Sequence, residues 1–399
     1  RRREPERFAA LEAAASLKRG RLSPRAAEAL YGSRPRLSAS KADSLAACRF
    51  RYFCQYGLQA QPYEPAGFTP PEVGAFIHTV LERTLREVKN RGGFGAVSDE
   101  ALRALARQVS ETYIHEELDD FQEKSPRFEH LFRRLIRDAE LIVLDAVQEL
   151  RRSDFEPLDF ELNFSKAVTK SPLRLGAVRL SGVADRVDGW VRGDKLYLRV
   201  VDYKTGVKKF SLSDVWYGLG MQMLLYLFAL QENGEEIYGR PVEAAGIMYL
   251  PARSALLSLD RDDGEALERE RADALRRSGL VLDDAALIEA WERGEDKRYI
   301  PIRFNRGRPG SGLASAEQLG KLRRHVQKTL GDMAEALREG RIEAEPYYRT
   351  ANDNACSNCD FADACQFSDG ENGERCRVLS KLKNEEVWEK IDREVGENG

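Results

Sequence analysis

Asp202 and Lys204 stand two residues apart in Val201-Asp202-Tyr203-Lys204-Thr205-Gly206, at the end of the β-rich run Lys195-Leu196-Tyr197-Leu198-Arg199-Val200. Side chains two apart on a strand point to the same face, so the acid and the ammonium project together. A second acid, Asp185, lies in the preceding apolar run, Gly182-Val183-Ala184-Asp185-Arg186-Val187-Asp188. Two carboxylates and a lysine meeting at a sheet edge can hold a divalent cation against a phosphate. Mg²⁺ takes hard oxygen ligands in octahedral geometry, and the carbonyl of Tyr203, between Asp202 and Lys204, supplies a third oxygen. Lys204 would orient the attacking water and offset charge on the phosphate, which is metal-assisted phosphodiester hydrolysis. Asp-x-Lys alone is common and more often marks a solvated strand end, and it is the acid-bearing run before it that gives the pair its weight.

Four further sets of residues have chemistry to weigh. His78 lies at the start of a helical pattern, Gly74-Ala75-Phe76-Ile77-His78-Thr79-Val80-Leu81-Glu82, and is a further metal ligand if that helix packs by the sheet edge. A satisfied core histidine is the plainer alternative. Glu82, four residues on, reads as a surface acid. Gln222 and Tyr226 share one face of a very apolar helix. They either bond to each other internally or face the site and contact substrate or Lys204. Cys356-x-x-Cys359-x5-Cys365 puts three thiolates in one short window, with spacing for a metal or a cluster. A four-cysteine site needs one more from Cys48, Cys54 or Cys376. Spacing alone does not separate zinc from iron–sulfur. Lys208 and Lys209, and the basic residues at 321–328, suit a nucleic-acid groove, although a solvated face accounts equally well for the latter.

The elements that must position these residues follow from the pattern. Ser38 caps a helix running through Cys48 to about Gly57. A Pro-rich loop spans Gln61 to Pro71. Two or three helices fill 98–150, and Asp159 to Phe164 is a short alternating strand. Val178 to Val187 and Lys195 to Tyr203 form a hairpin. Ser213 to Leu230 reads as one long buried helix, Ala244 to Leu250 as a strand, and Ala316 to Glu339 as a helix. Residues 255–312 read as an irregular insertion with a helix near Asp284–Trp291. Residues 1–35 read as a helical connector from an upstream region, and the lack of an initial Met suggests a fragment or processed chain. The remainder, 36–399, reads as one domain.

The bulk numbers restrict the class. With 399 residues, 42% hydrophobic and 32% charged, the chain is globular, and no apolar run is long enough to span a bilayer. The charged start, Arg1-Arg2-Arg3-Glu4, is no secretory signal. A net charge of −3 argues against a uniformly basic coat but not against a local basic groove. Six cysteines are few for a disulfide scaffold of this size. Their clustering points to a metal or cluster in a reducing compartment, and with no spanning run the expectation is a cytoplasmic protein and no membrane partner.

Taken together, His78, Asp185 in GVADR, Asp202-x-Lys204 in DYKTG and Gln222-x-x-x-Tyr226 follow the motif order of the RecB-like branch of the PD-(D/E)XK nucleases. Within that branch the segments SASKADSLAACRFRYFCQYGL, GAFIHTVLE and ACSNCDFADACQF resemble the C-terminal nuclease domain of the AddB family of helicase–nuclease subunits. The resemblance covers roughly 36–380. It implies an α/β restriction-endonuclease-like fold, with a mixed central sheet flanked by helices, helical insertions and an iron–sulfur staple. It also implies an exonuclease dependent on Mg²⁺ or Mn²⁺, cutting DNA as a single strand, beside an AddA-type partner in double-strand break processing. Metal would fall to His78, Asp185, Asp202 and the Tyr203 carbonyl, catalysis to Asp185, Asp202 and Lys204, and substrate positioning to Gln222 and Tyr226. A 4Fe-4S cluster would fall to Cys48, Cys356, Cys359 and Cys365. Arg49 departs from the family, which more often has proline there. No helicase-like region accompanies these residues, so unwinding is not expected of them. Other readings are an inactive DNA- or partner-binding module, a zinc-stabilised interaction domain and a CRISPR-adaptation-type nuclease of the same branch.

Overall fold

The computed structural model describes residues 4–15, 19–62, 69–117, 126–165, 173–253, 270, 272–305, 308–371 and 373–396. Its centre is a six-stranded mixed sheet. In chain order the strands are β1 (Glu156–Asn163), β2 (Val183–Arg192), β3 (Lys195–Lys204), β4 (Val242–Pro251), β5 (Ser278–Leu282) and β6 (Leu313–Ala314). Their order across the sheet is β6-β5-β4-β3-β2-β1. β2 and β3 are the antiparallel hairpin expected from their alternation, turning at Gly193, whose φ of +65° suits glycine. β3 and β4 are parallel, so a crossover must join them, and the helix α4 described below supplies it.

Helices cover both faces. The five long ones are α1 (Pro70–Asn90), α2 (Asp99–Glu117), α3 (Pro126–Arg151), α4 (Gln222–Tyr238) and α5 (Ala316–Arg338). α1 starts with Pro70 at its first turn, where a missing N–H costs nothing, and with Glu72 closing a capping box on Thr69. The apolar stripes of α1, α2 and α3 meet Val201 and Tyr203 on one face of the sheet. α4, α5 and the helix Ala39–Ala47 meet Leu196, Leu198 and Val200 on the other. Alternate residues of β3 thus enter opposite cores, and a strand buried on both faces reads as a near-continuous apolar run.

Four expected elements differ in detail. The run 178–187 breaks at Gly182, whose φ is +131°. Val178–Ser181 pairs instead with Arg36–Ser38 and Arg174–Leu175 in a separate small sheet. The long helix from Ser213 is two helices, Leu212–Trp216 and α4, separated by Gly218 and Gly220, both at positive φ. The first helix is interrupted at Cys48, which is extended (φ −166°, ψ 128°). Within 255–312, residues 278–282 are not irregular but form β5, in the middle of the sheet's far half. Residues 255–269, 271 and 306–307 of that stretch lie outside the described residues, as do 1–3 and 16–18 of the connector and 63–68 of the Pro-rich loop.

Beneath the sheet lies a buried ionic cluster. Glu149 of α3 receives Arg186 (2.8 Å), Arg199 (3.2 Å) and Arg277 (3.5 Å). Asp188 receives Arg186 and Arg199 at 2.9 and 2.8 Å. Glu149, Arg186, Asp188 and Arg199 are all fully buried. Charges this far from water persist only when paired on several sides. The cluster fixes α3 against β2 and β3, the two strands that carry Asp185 and Asp202.

Candidate active site

β3 delivers Asp202 and Lys204 to one face, as their spacing requires, and Lys204 Nζ lies 2.6 Å from Asp202 Oδ2. Asp202 is buried while Lys204 is half-exposed. Asp185, from β2, accepts the backbone N–H of Tyr203 at 2.6 Å, which locks the two strand ends in register. α1 packs across this end and brings in His78. Its Nε2 lies 3.0 Å from the Tyr203 carbonyl and its Nδ1 3.5 Å from Asp185 Oδ1. His78 is therefore at the sheet edge and not in a separate core. Glu82 pairs with Arg86 at 2.8 Å, as a surface acid would.

Glu161 completes the group, and its sequence context did not single it out. It lies on β1 with its Oε1 4.0 Å from His78 Nδ1. One ligand atom each from His78, Glu161 and Asp185 fall within 4.8 Å of one another. Glu161 is one of the few non-glycine residues among those described at positive φ (+50°), a costly conformation that tends to gather at functional sites. Its Oε1 is buried and makes no hydrogen bond among the described residues. An orphaned carboxylate oxygen facing a histidine and a second acid is what a divalent cation would satisfy, so these residues fit one. Alternation along β1 sets Glu161 on the face opposite Phe160 and Leu162, which by itself says nothing of a metal. Only the register of β1 on β2, which no local pattern reveals, puts it beside Asp185.

Charges are crowded here. Burial, then the charge of Asp185, pushes the Glu161 carboxyl up to about 7. The same two causes raise Asp202 to about 6, although Lys204 pulls it down. Burial would lower His78, but its bond to Asp185 and the charges of Asp185, Glu161 and Asp202 outweigh it and leave it raised. A pocket of acids pushed towards their neutral forms is an unfilled demand for positive charge.

Gln222 and Tyr226 sit at the start of α4, and their side chains are hydrogen-bonded to each other. The Tyr226 hydroxyl also accepts the Val183 N–H, two residues from Asp185, and burial pushes it up to about 12. A Cβ on Gly182 would lie 2.3 Å from that hydroxyl, so the glycine is required twice, by φ and by contact. The start of α4 is set by Asp43, whose Oδ1 accepts the Gly220 N–H at 2.7 Å.

Elsewhere, Cys48, Cys356, Cys359 and Cys365 all line one cavity of about 120 Å³, walled otherwise by residues such as Phe50, Ala344, Ala355 and Phe367. Cys54 and Cys376 do not line it. Arg49 ion-pairs with Glu345, and Arg377 donates to the carbonyl of Ala46, so both ends of the chain are tied around the cavity. Arg19 places a guanidinium nitrogen 3.3 Å from Cys365 Sγ. Two basic residues of α5 are used differently from a DNA groove. Lys321 pairs with Asp392 (2.8 Å) and Lys328 with Glu394 (2.7 Å) of the helix Asn384–Gly396.

A mixed sheet whose hairpin end gathers an Asp-x-Lys pair, a second Asp, a Glu and a His belongs to a known class. Residues 36–366 match the model of the PD-(D/E)XK nuclease superfamily, and the chain belongs to that superfamily. Its relatives include proteins named as subunits of an ATP-dependent helicase/deoxyribonuclease. The one from Thermoanaerobacter sp. (strain X514) is 31% identical over 390 residues, covering 93% of this chain and 33% of the relative. Those from Clostridium novyi (31%, 92% of this chain and 33% of the relative) and Acetivibrio thermocellus (32%, 92% and 33%) are similar. The chain thus spans about a third of the length of these relatives. No helix among the described residues is long and apolar enough to cross a membrane.

Proposed function

We propose that this chain is the nuclease portion of an AddB-type helicase–nuclease subunit, an exonuclease that hydrolyses DNA phosphodiesters with Mg²⁺ or Mn²⁺. The observation that carries the reading is the Lys204–Asp202 pair (2.6 Å) lying beside the His78, Glu161 and Asp185 group. His78, Glu161, Asp185 and Asp202 would hold the divalent ion, whose chemistry is to polarise the phosphate and make bound water acidic. The Tyr203 carbonyl, expected as a further ligand, is in contact with His78, so it orients the imidazole or shares in binding. Lys204 orients the attacking water and faces the charge that develops on the phosphate. Gln222 and Tyr226 hold the substrate side of the site. The names of the relatives support DNA as substrate and a partner subunit, which we read as AddA-type, acting in double-strand break repair.

The same proposal includes a 4Fe-4S cluster on Cys48, Cys356, Cys359 and Cys365. In a tetrahedral zinc site, Zn–S bonds of about 2.3 Å set the sulfurs about 3.8 Å apart. Among the described residues no three cysteine sulfurs lie within 4.8 Å of one another, while all four surround a cavity. The cavity that the four thiols share leaves room for an inorganic core between them. Burial and neighbouring thiols push Cys356 up to about 11, so loading must release protons. Iron content with visible absorption supports the cluster, and one zinc per chain without colour refutes it.

Lys204→Ala tests the nuclease reading. Removing one group that stabilises developing charge costs about 10²–10³-fold in rate. We expect at least that loss on an oligonucleotide, with the fold and the visible absorption unchanged. Hydrolysis at the unmutated rate would sink the assignment.

A further inference from the structure

The small sheet that precedes Gly182 holds three arginines in one row. Its strands pair so that Arg36 stands opposite Arg179, and Arg179 opposite Arg174. Alternation sends Leu37, Leu180 and Leu175 into the core and leaves the arginines together on the other face. Like charges directly opposite on neighbouring strands are destabilising. Arg36 and Arg179 also line a cavity of about 700 Å³, with Arg34 and Lys41, and no acid lines it. None of these four cations has a carboxylate partner among the described residues. Arginines on a solvated face need no partner, but Arg179 Nε is buried and makes no hydrogen bond among the described residues. The same holds for the Tyr31 hydroxyl on the same lining. Burial pushes Tyr31 up to about 12, so its hydroxyl is a donor at neutral pH. Four unpaired cations and two desolvated donors around one concavity call for an anion with several acceptor oxygens.

The cavity also has an aromatic side. Tyr31, Tyr52 and Tyr56 line it as a chain of tilted rings, with successive centroids 5.8 and 5.1 Å apart. Lys41 Nζ lies 5.4 Å from the centroid of Tyr56, so cation and ring meet at one place. No residue of this lining belongs to the metal-binding group, and Lys204 is not part of it.

We propose that this cavity binds a nucleoside 5′-phosphate, its phosphate among Arg34, Arg36, Lys41 and Arg179 and its base against the tyrosines. The guanidinium fork matches phosphate oxygens two at a time, which suits a site built mostly of arginine. A terminal phosphate carries about −1.5 to −2 at neutral pH, more charge at one point than a backbone diester, and four cations around one cavity favour it. Stacking on tyrosine is tolerant of the base, so thymine serves as well as any other. The volume falls in the range of about 300–1,000 Å³ of small-molecule sites and accommodates one nucleotide. A free nucleotide and the phosphorylated end of a short oligonucleotide offer the same chemistry.

The test titrates the full chain by calorimetry in buffer without divalent ions, which keeps phosphate from being held through a metal. The probes are thymidine 5′-monophosphate, thymidine, inorganic phosphate and short oligothymidylates with and without a 5′-phosphate. We expect the monophosphate to bind and thymidine to give no heat. Arg36→Gln with Arg179→Gln removes two charged forks and should weaken the monophosphate about tenfold or more, while the chain melts no lower because a like-charge contact is relieved. Tyr56→Leu should weaken the monophosphate and leave inorganic phosphate unchanged. Tighter binding of the 5′-phosphorylated oligonucleotide than of the monophosphate makes a strand end the source, and the reverse order makes it the free nucleotide. Hydrolysis of a small phosphodiester, thymidine 5′-p-nitrophenyl phosphate, read in Mn²⁺, should be unchanged in both variants. Unaltered monophosphate affinity in the double arginine variant, or equal affinity for oligonucleotides with and without the 5′-phosphate, would overturn the cavity assignment. Joint loss of binding and small-ester hydrolysis would put the nucleotide at the metal-binding group and overturn it too. A chain that hydrolyses no ester yet binds the monophosphate through Arg36 and Arg179 keeps the cavity assignment and fails the nuclease reading.

Discussion

Glu161 and Asp202 are acids held part-way to neutrality, at about 7 and about 6, chiefly by burial and then by the charge of Asp185. A carboxyl raised in the fold favours folding most when protonated. That contribution is complete below the ordinary carboxylate range and is lost as pH rises through about 6 to 7. His78 is raised too, so its contribution has the same sign. Metal-free protein should therefore melt at a lower temperature at pH 8 than at pH 5.5, and Ca²⁺ should recover most of the difference at pH 8. Scanning fluorimetry on both states checks this, and Glu161→Gln should flatten the pH dependence and weaken the Ca²⁺ effect together. A Ca²⁺ shift that survives Glu161→Gln intact would remove Glu161 from the site.

At the scale of elements, two joints decide where the site residues stand. The first is Gly182, where the chain leaves the small sheet and enters β2. Gly182→Ala adds a Cβ 2.3 Å from the Tyr226 hydroxyl at a φ of +131°, so Tyr226 must move. Displacements of about 1 Å can cost about 10²-fold in rate, and steady-state hydrolysis should show a loss of that order. The second joint is Glu149, which receives three arginines under the hairpin. Glu149→Ala leaves buried guanidinium charge uncompensated, and such losses cost about 3–5 kcal/mol, measurable by urea unfolding. These joints also mark what the sequence could say. The hairpin and its Asp-x-Lys were legible because period-two alternation and turn residues are local. Gly182 and the Gly218–Gly220 break were not, because the periods on either side continue through them. β5 was missed because charged flanks mask a five-residue strand whose apolar core is only Gly279-Leu280-Val281-Leu282.

For the whole molecule, the question is what keeps the two halves of the sheet and the termini in one body. Cys48 near the start and the window Cys356–Cys365 near the end meet at one cavity, a proximity their spacing alone did not settle. The proposed cluster would close a loop of roughly 300 residues, which in a chain-entropy model would stabilise by about 5–6 kcal/mol. Cys359→Ser should lose iron and lower the midpoint of unfolding strongly. A variant that keeps full stability would refute the staple. Arg19 links the connector to the same place through Cys365, so Arg19→Met should labilise the cluster to chelators without altering small-ester hydrolysis.

The proposed chemistry turns on a divalent ion held among His78, Glu161, Asp185 and Asp202, within reach of Lys204. Anomalous diffraction from a crystal soaked in Mn²⁺ addresses it directly. We predict a manganese peak bonded to Asp185 and Asp202, with His78 or Glu161 completing the protein ligands, and loss of that peak in Asp185→Asn. A fully soaked crystal with manganese elsewhere and none between these side chains would contradict it.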